Sequence, residues 1–118
     1  MDITRFSKLV GLSAHTLRYY EKIGLIRDIH RDSGGRRSFV NKDIDWVQFI
    51  VRLKETGMPL DGIKQYAELR HQGDTTLLER KQLLEQHRRQ IEKEIEKQKR
   101  HLSALDAKIH VYELKIDA

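Results

Sequence analysis

From Thr75 to Ala118 the chain contains neither glycine nor proline, and a single apolar row recurs there at alternating steps of four and three. Leu77, Lys81, Leu84, Arg88, Ile91, Ile95, Gln98, Leu102, Leu105, Ile109, Tyr112 and Ile116 occupy the row, with largely charged residues between them. A row of this period, sustained over more than five repeats, predicts one long helix of the coiled-coil kind. Such a helix cannot bury its stripe alone, and the simplest cover is a second copy of itself. The expected dimerisation residues are Leu77, Leu84, Ile91, Ile95, Leu102, Leu105, Ile109 and Tyr112. Lys81, Arg88 and Gln98 interrupt the seam and fix its register at some cost in stability. Spacing alone leaves the relative direction of the two helices open.

At 118 residues the chain has room for one small core beside such a helix. With 38% of residues apolar and 35% charged, much of the surface faces solvent or a partner. Residues 1–70 carry 13 Lys/Arg against 9 Asp/Glu, a net +4, and residues 71–118 carry 10 against 9, a net +1. The positive excess therefore lies in the first part, where it can attract a polyanion. No run of about 18 apolar residues spans a membrane, and the opening residues do not form a signal peptide, so a cytoplasmic location is expected. The absence of cysteine removes disulfides, thiolate nucleophiles and thiolate-rich metal sites.

The first part reads as two short helices around a tight turn. Phe6, Leu9 and Val10 stand at i, i+3 and i+4 and mark the buried face of the first. Gly11 suits the left-handed position after a helix end, and Ser13 suits the N-cap of a second helix from Ala14. A short glycine-containing turn between two helices is the helix-turn-helix signature. On the second helix Leu17 faces the core, whereas His15, Arg18, Tyr19 and Lys22 form one basic stripe. A recognition helix lays such a stripe in a major groove, although a solvated face has the same pattern. In Asp32–Val40, two turn-forming glycines are followed by the alternating side chains of Arg36, Arg37, Ser38 and Phe39, which predicts a small hairpin with arginines near its tip. Beside a helix-turn-helix, that hairpin would be a wing clamping the DNA backbone. A further helix begins at Asn41 or Lys42 and breaks at Gly57-Met58-Pro59. The next helix starts at Leu60, with its free N–H groups and Lys54 available to a phosphate.

These residues resemble the MerR family of regulators. The motif Ser13-x-x-Thr16-Leu17-Arg18-Tyr19-Tyr20-Glu21-x-x-Gly24-Leu25 is similar to that family's DNA-binding motif. Gly35-Arg36-Arg37-Ser38-Phe39, Asp43-Ile44 and Gly57-Met58-Pro59-Leu60 fit its two wings. The resemblance covers essentially the whole chain. It implies a mainly α fold: a winged helix-turn-helix DNA-binding domain over residues 1–70, then a C-terminal dimerisation helix over 71–118 in an antiparallel coiled coil. It also implies a homodimer on double-stranded promoter DNA that bends and untwists an overlong spacer for RNA polymerase. Carried over by motif, Ser13, Thr16, Arg18, Tyr19 and Arg37 are expected to contact DNA, with Arg36, Lys54 and His15 as further candidates. Tyr20 either touches phosphate or completes the core.

Phe39 stands where the family usually has Tyr, and the wing carries an additional glycine. The short members resembled here are of the AdhR and NmlR type, answering aldehyde or thiol stress through a cysteine after the wing. Arg52 takes the matching position. With no effector domain expected beyond Ile116, a large organic inducer has no pocket. His71, His87, His101 and His110 form no i, i+4 pair, so neither a metal nor another cofactor is expected. No spacing suggests an enzyme's nucleophile and base. Two other readings remain: a coiled-coil adaptor whose basic domain docks a protein, and a DNA-binding repressor that never remodels a promoter.

Overall fold

A computed structural model describes residues 1–118. Helices α1 (Ile3–Val10) and α2 (Ala14–Lys22) are followed by strands β1 (His30–Arg31) and β2 (Arg37–Ser38). Helices α3 (Asn41–Glu55) and α4 (Leu60–His71), a single 3-10 turn (Asp74–Thr76) and helix α5 (Leu77–Asp117) complete the chain. The fold is mainly α, and its only sheet is the two-stranded antiparallel hairpin. Two compact units result, Met1–Lys81 and Gln82–Ala118.

Local chemistry sets the helix ends of the first unit. Asp2 caps α1 by accepting from the Arg5 amide at 2.9 Å, and Gly11 closes it in the left-handed region at φ 73°. The Ser13 hydroxyl caps α2, accepting from the Thr16 amide at 3.0 Å. Asp43 reaches back to the Val40 amide at 2.9 Å and starts α3 at Asn41. Met58 drops into the core between α3 and α4. Gly62 leaves room for it, since a Cβ there would lie 3.1 Å from the Met58 side chain.

The core is built from Phe6, Val10, Leu17, Tyr20, Leu25, Ile26, Phe39, Trp46, Val47, Ile50, Leu53, Met58, Ile63 and Ala67. Phe6 and Phe39 lie face to face, 4.1 Å between ring centres and 7° from parallel, tying the wing's exit to α1. The Trp46 indole N–H donates to the Leu25 carbonyl at 2.8 Å, which joins α3 to the residues just after α2. Leu9 does not share in this core: it is 48% exposed. Each residue turns a helix by about 100°. With the buried row running through Phe6 and Val10, Leu9 falls at its solvent edge.

The hairpin forms around the expected turn glycines and starts two residues before the expected segment Asp32–Val40. Its first strand lies before the glycines, with His30 opposite Ser38 and Arg31 opposite Arg37. Residues 32–36 form the turn, in which the Asp32 carboxylate accepts from the amides of Gly34 (2.9 Å) and Arg36 (3.0 Å). The additional glycine has a use here, because Gly35 adopts φ 78°, where a side chain would be strained.

Thr76 is buried and its hydroxyl donates to the carbonyls of Leu69 (2.5 Å) and Gly73 (2.9 Å). Arg80 donates to the same Gly73 carbonyl at 2.9 Å, fastening the first turn of α5 to the end of α4. Beyond that turn α5 continues without a buried residue. Its row of Ile95, Leu102, Leu105, Ile109 and Tyr112 is exposed, each by about half its surface. No helix is long and apolar enough to cross a membrane.

Candidate nucleic-acid interface

The capped start of α2 determines which side chains leave the surface. With Leu17 and Tyr20 buried, the helical period turns His15, Arg18, Tyr19 and Lys22 outward as one exposed strip. Ser13 and Thr16 sit at the head of that strip, their hydroxyls 2.9 Å apart. No acidic side chain pairs with Arg18 or Lys22, so their charge is available to a polyanion.

The wing stands beside this strip and its arginines differ. The Arg36 side chain is 85% exposed and only 3.8 Å from Asp32. Arg37 is one quarter exposed and turns back onto α2, donating to Glu21 Oε1 from Nε at 3.0 Å and approaching it with Nη2 at 2.9 Å. Arg31, on the opposite strand, donates to the same oxygen at 3.3 Å. The Asp32 carboxyl below the tip titrates lower than an ordinary aspartate, chiefly because the Arg36 amide donates to it.

Tyr20 belongs to the core, with only 3% of its surface exposed. Of the two roles left open for it, completing the core is the one observed. Its hydroxyl accepts from Lys54 at 3.4 Å, and the Lys54 ammonium stands 5.9 Å from its ring centre. Lys54 is thereby placed behind α2, at the end of α3. Ser13, His15, Thr16, Arg18, Tyr19, Arg36 and Arg37 all lie on the strip or the wing. Glu21 and Arg31 escaped the sequence reading as site residues. Their pairing joins positions ten residues apart across two elements, and the only signal for it was a carboxylate standing inside a basic stripe.

A second set of pairs ties the loop after α2 to α4. Arg27 donates to Glu68 at 2.6 Å, and this contact above all holds the Glu68 carboxyl below its usual range. Asp28, at φ 57°, lies 3.7 Å from His71. Arg70 stacks over Trp46 at 4.2 Å, and burial lowers its pKa from the ordinary arginine value. Arg52, in the last turn of α3, is exposed. No group of three or more His, Asp or Glu residues converges to hold a metal ion.

Comparison with known proteins bears on the whole arrangement. Residues 1–69 match the family of MerR HTH regulatory proteins, and residues 44–108 match the MerR DNA-binding family. An uncharacterized HTH-type transcriptional regulator of Haemophilus influenzae is 40% identical over 88% of this chain and 77% of its own length. The HTH-type transcriptional regulator AdhR of Bacillus subtilis is 36% identical over 77% of this chain, which spans 65% of AdhR. Among solved structures, a MerR family transcriptional regulator of Listeria monocytogenes superposes with a TM-score of 0.90 at 35% identity, covering 96% of this chain and 86% of that one. HiNmlR, a MerR family regulator lacking the sensor domain and solved bound to promoter DNA, superposes with a TM-score of 0.86 at 38% identity. The superposition covers 95% of this chain and 89% of HiNmlR. These relatives are regulators rather than enzymes.

Proposed function

The chain belongs to the MerR family of helix-turn-helix regulatory proteins, and from that premise we propose that it works as a homodimer on promoter DNA. In this reading two copies place their α2 helices in successive major grooves of a pseudo-palindromic site, and bend and untwist an overlong spacer so that RNA polymerase engages both promoter elements. The observation that carries the reading is the exposed basic strip of α2 beside the arginine-bearing wing. Ser13, His15, Thr16, Arg18, Tyr19, Arg36 and Arg37 are the proposed DNA contacts. Lys54, behind Tyr20, contributes to the field around them. Residues 1–70 form the DNA-binding part and 71–118 the dimerisation part.

The seam of α5 supports a two-fold dimer, and the residues that interrupt it favour antiparallel helices. With parallel helices in register, Lys81 would face Lys81 and Arg88 would face Arg88 across an apolar seam, which is costly. With antiparallel helices crossing on an axis between Glu96 and Lys97, Lys81 faces Tyr112, Arg88 faces Leu105 and Gln98 faces Ile95 of the second copy. Leu77, Leu84 and Ile91 then meet Ile116, Ile109 and Leu102.

Genome-wide footprinting in the host tests the mechanism. Protected sites centred in overlong promoter spacers are expected. Binding without that position would refute promoter remodelling and leave a repressor. No binding to DNA at all would leave the adaptor reading.

A further inference from the structure

We propose that Glu21 is the positioning residue of the wing: its carboxylate sets Arg31 and Arg37 against α2 and thereby strengthens binding to duplex DNA, although its own charge repels the phosphates. The proposal rests on the DNA-binding reading above and adds to it a role for an acidic side chain inside a basic surface.

The wing has little of its own to hold it in place. Two residues per strand make a hairpin far too small to be stable in isolation. Phe39 anchors its exit, in the core against Phe6 and by backbone hydrogen bonds to Met1 at 2.6 and 2.7 Å. Along the strands, the ion pairs that reach α2 both end on Glu21 Oε1, at 2.9 Å from Arg37 and 3.3 Å from Arg31. Glu21 and Arg37 are each only one quarter exposed, so water weakens this pair less than an ordinary surface pair. Arg37 donates through Nε and brings Nη2 to the same oxygen, which keeps its guanidinium against α2. One negative charge between two positive ones leaves the junction net positive. Arg18, three residues before Glu21 on the same helix surface, extends that positive field. A wing fixed in advance loses less freedom on binding than one that must be ordered by DNA.

Charge alone and positioning predict opposite signs for the loss of this carboxylate. Removing a negative group from a surface that faces phosphates should tighten binding if only the field matters. Loss of the clamp should weaken it. The test is Glu21→Gln in the full chain, with affinity for a long mixed-sequence DNA duplex measured across a salt series. Affinity is expected to fall about tenfold at low salt, as for a lost charge-assisted hydrogen bond. The slope against log salt should shrink by about one as Arg37 ceases to be held ready for a phosphate. In a background that carries both Arg31→Gln and Arg37→Gln the same change should cost nothing further, and this non-additivity separates the clamp from a general loss of folding. Amide exchange over residues 31–38 of Glu21→Gln reads the wing directly and should accelerate.

Unchanged or tighter binding by Glu21→Gln, or unchanged wing protection, overturns the proposal. If the wild-type chain binds duplex DNA and Glu21→Gln binds equally well, only the role of Glu21 falls. If the wild-type chain does not bind duplex DNA, the DNA-binding reading falls and takes this proposal with it.

Discussion

Arg18 and Arg37 bear the same charge in different company. The first stands unpaired on α2, whereas the second is bound to Glu21 at 2.9 Å. Replacing both with Ala should cost about 1–3 kcal/mol of DNA-binding free energy each and flatten the salt dependence, with the dimer unchanged in sedimentation. Retained affinity in the double variant would remove both from the interface. Asp32 supplies a pH test. Its folded-state pKa is depressed by the Arg36 and Gly34 amides. Its hold on the wing turn is therefore complete above the ordinary aspartate value and is lost as pH falls through the lower, folded one. Amide chemical shifts of Gly34 and Arg36 should titrate with a midpoint below that of a free aspartate and show no such step in Asp32→Asn. A midpoint at the ordinary value would contradict the turn geometry. Residues whose roles are local, such as Ser13 and Gly11, were legible in the sequence because cap and turn chemistry acts over three or four positions. Tyr20 was not, since the choice between core and contact was decided by α3 and by Lys54, 34 residues away.

Elements were legible where a period ran long enough to show. The seam from Leu77 onward, with no glycine or proline to stop it, foretold a helix that runs to Asp117. The wing was legible from its two turn-forming glycines and the arginines at its tip, but its limits were off by two residues because two-residue strands have no period to mark them. What holds the wing's exit is contact between elements: the face-to-face stack of Phe6 and Phe39, and the two backbone hydrogen bonds between Met1 and Phe39 at 2.6 and 2.7 Å. Phe6→Ala should lower unfolding stability by about 3–5 kcal/mol, as for other large-to-small core changes, and loosen the wing more than α4. Chemical denaturation combined with amide exchange would check this, and a loss under about 1 kcal/mol would place the stack outside the core.

For the whole molecule, the absence of cysteine makes its assembly unusually easy to interrogate. In the antiparallel register, a chain carrying Lys81→Cys and Tyr112→Cys should crosslink to a second copy on oxidation, and a chain carrying Arg88→Cys alone should not. Crosslinking of the Arg88→Cys chain would instead require parallel helices in register, which would also join each cysteine of the double variant to its own counterpart. Trp46, the only tryptophan, offers a different access to the molecule. Its indole lies in the core, bonded to the Leu25 carbonyl at 2.8 Å and overlain by Arg70 at 4.2 Å. One fluorophore therefore touches both the residues that follow α2 and the helix that leads to α5. Its emission is a native optical gauge of how firmly those two are joined, readable in an unlabelled protein as DNA is added.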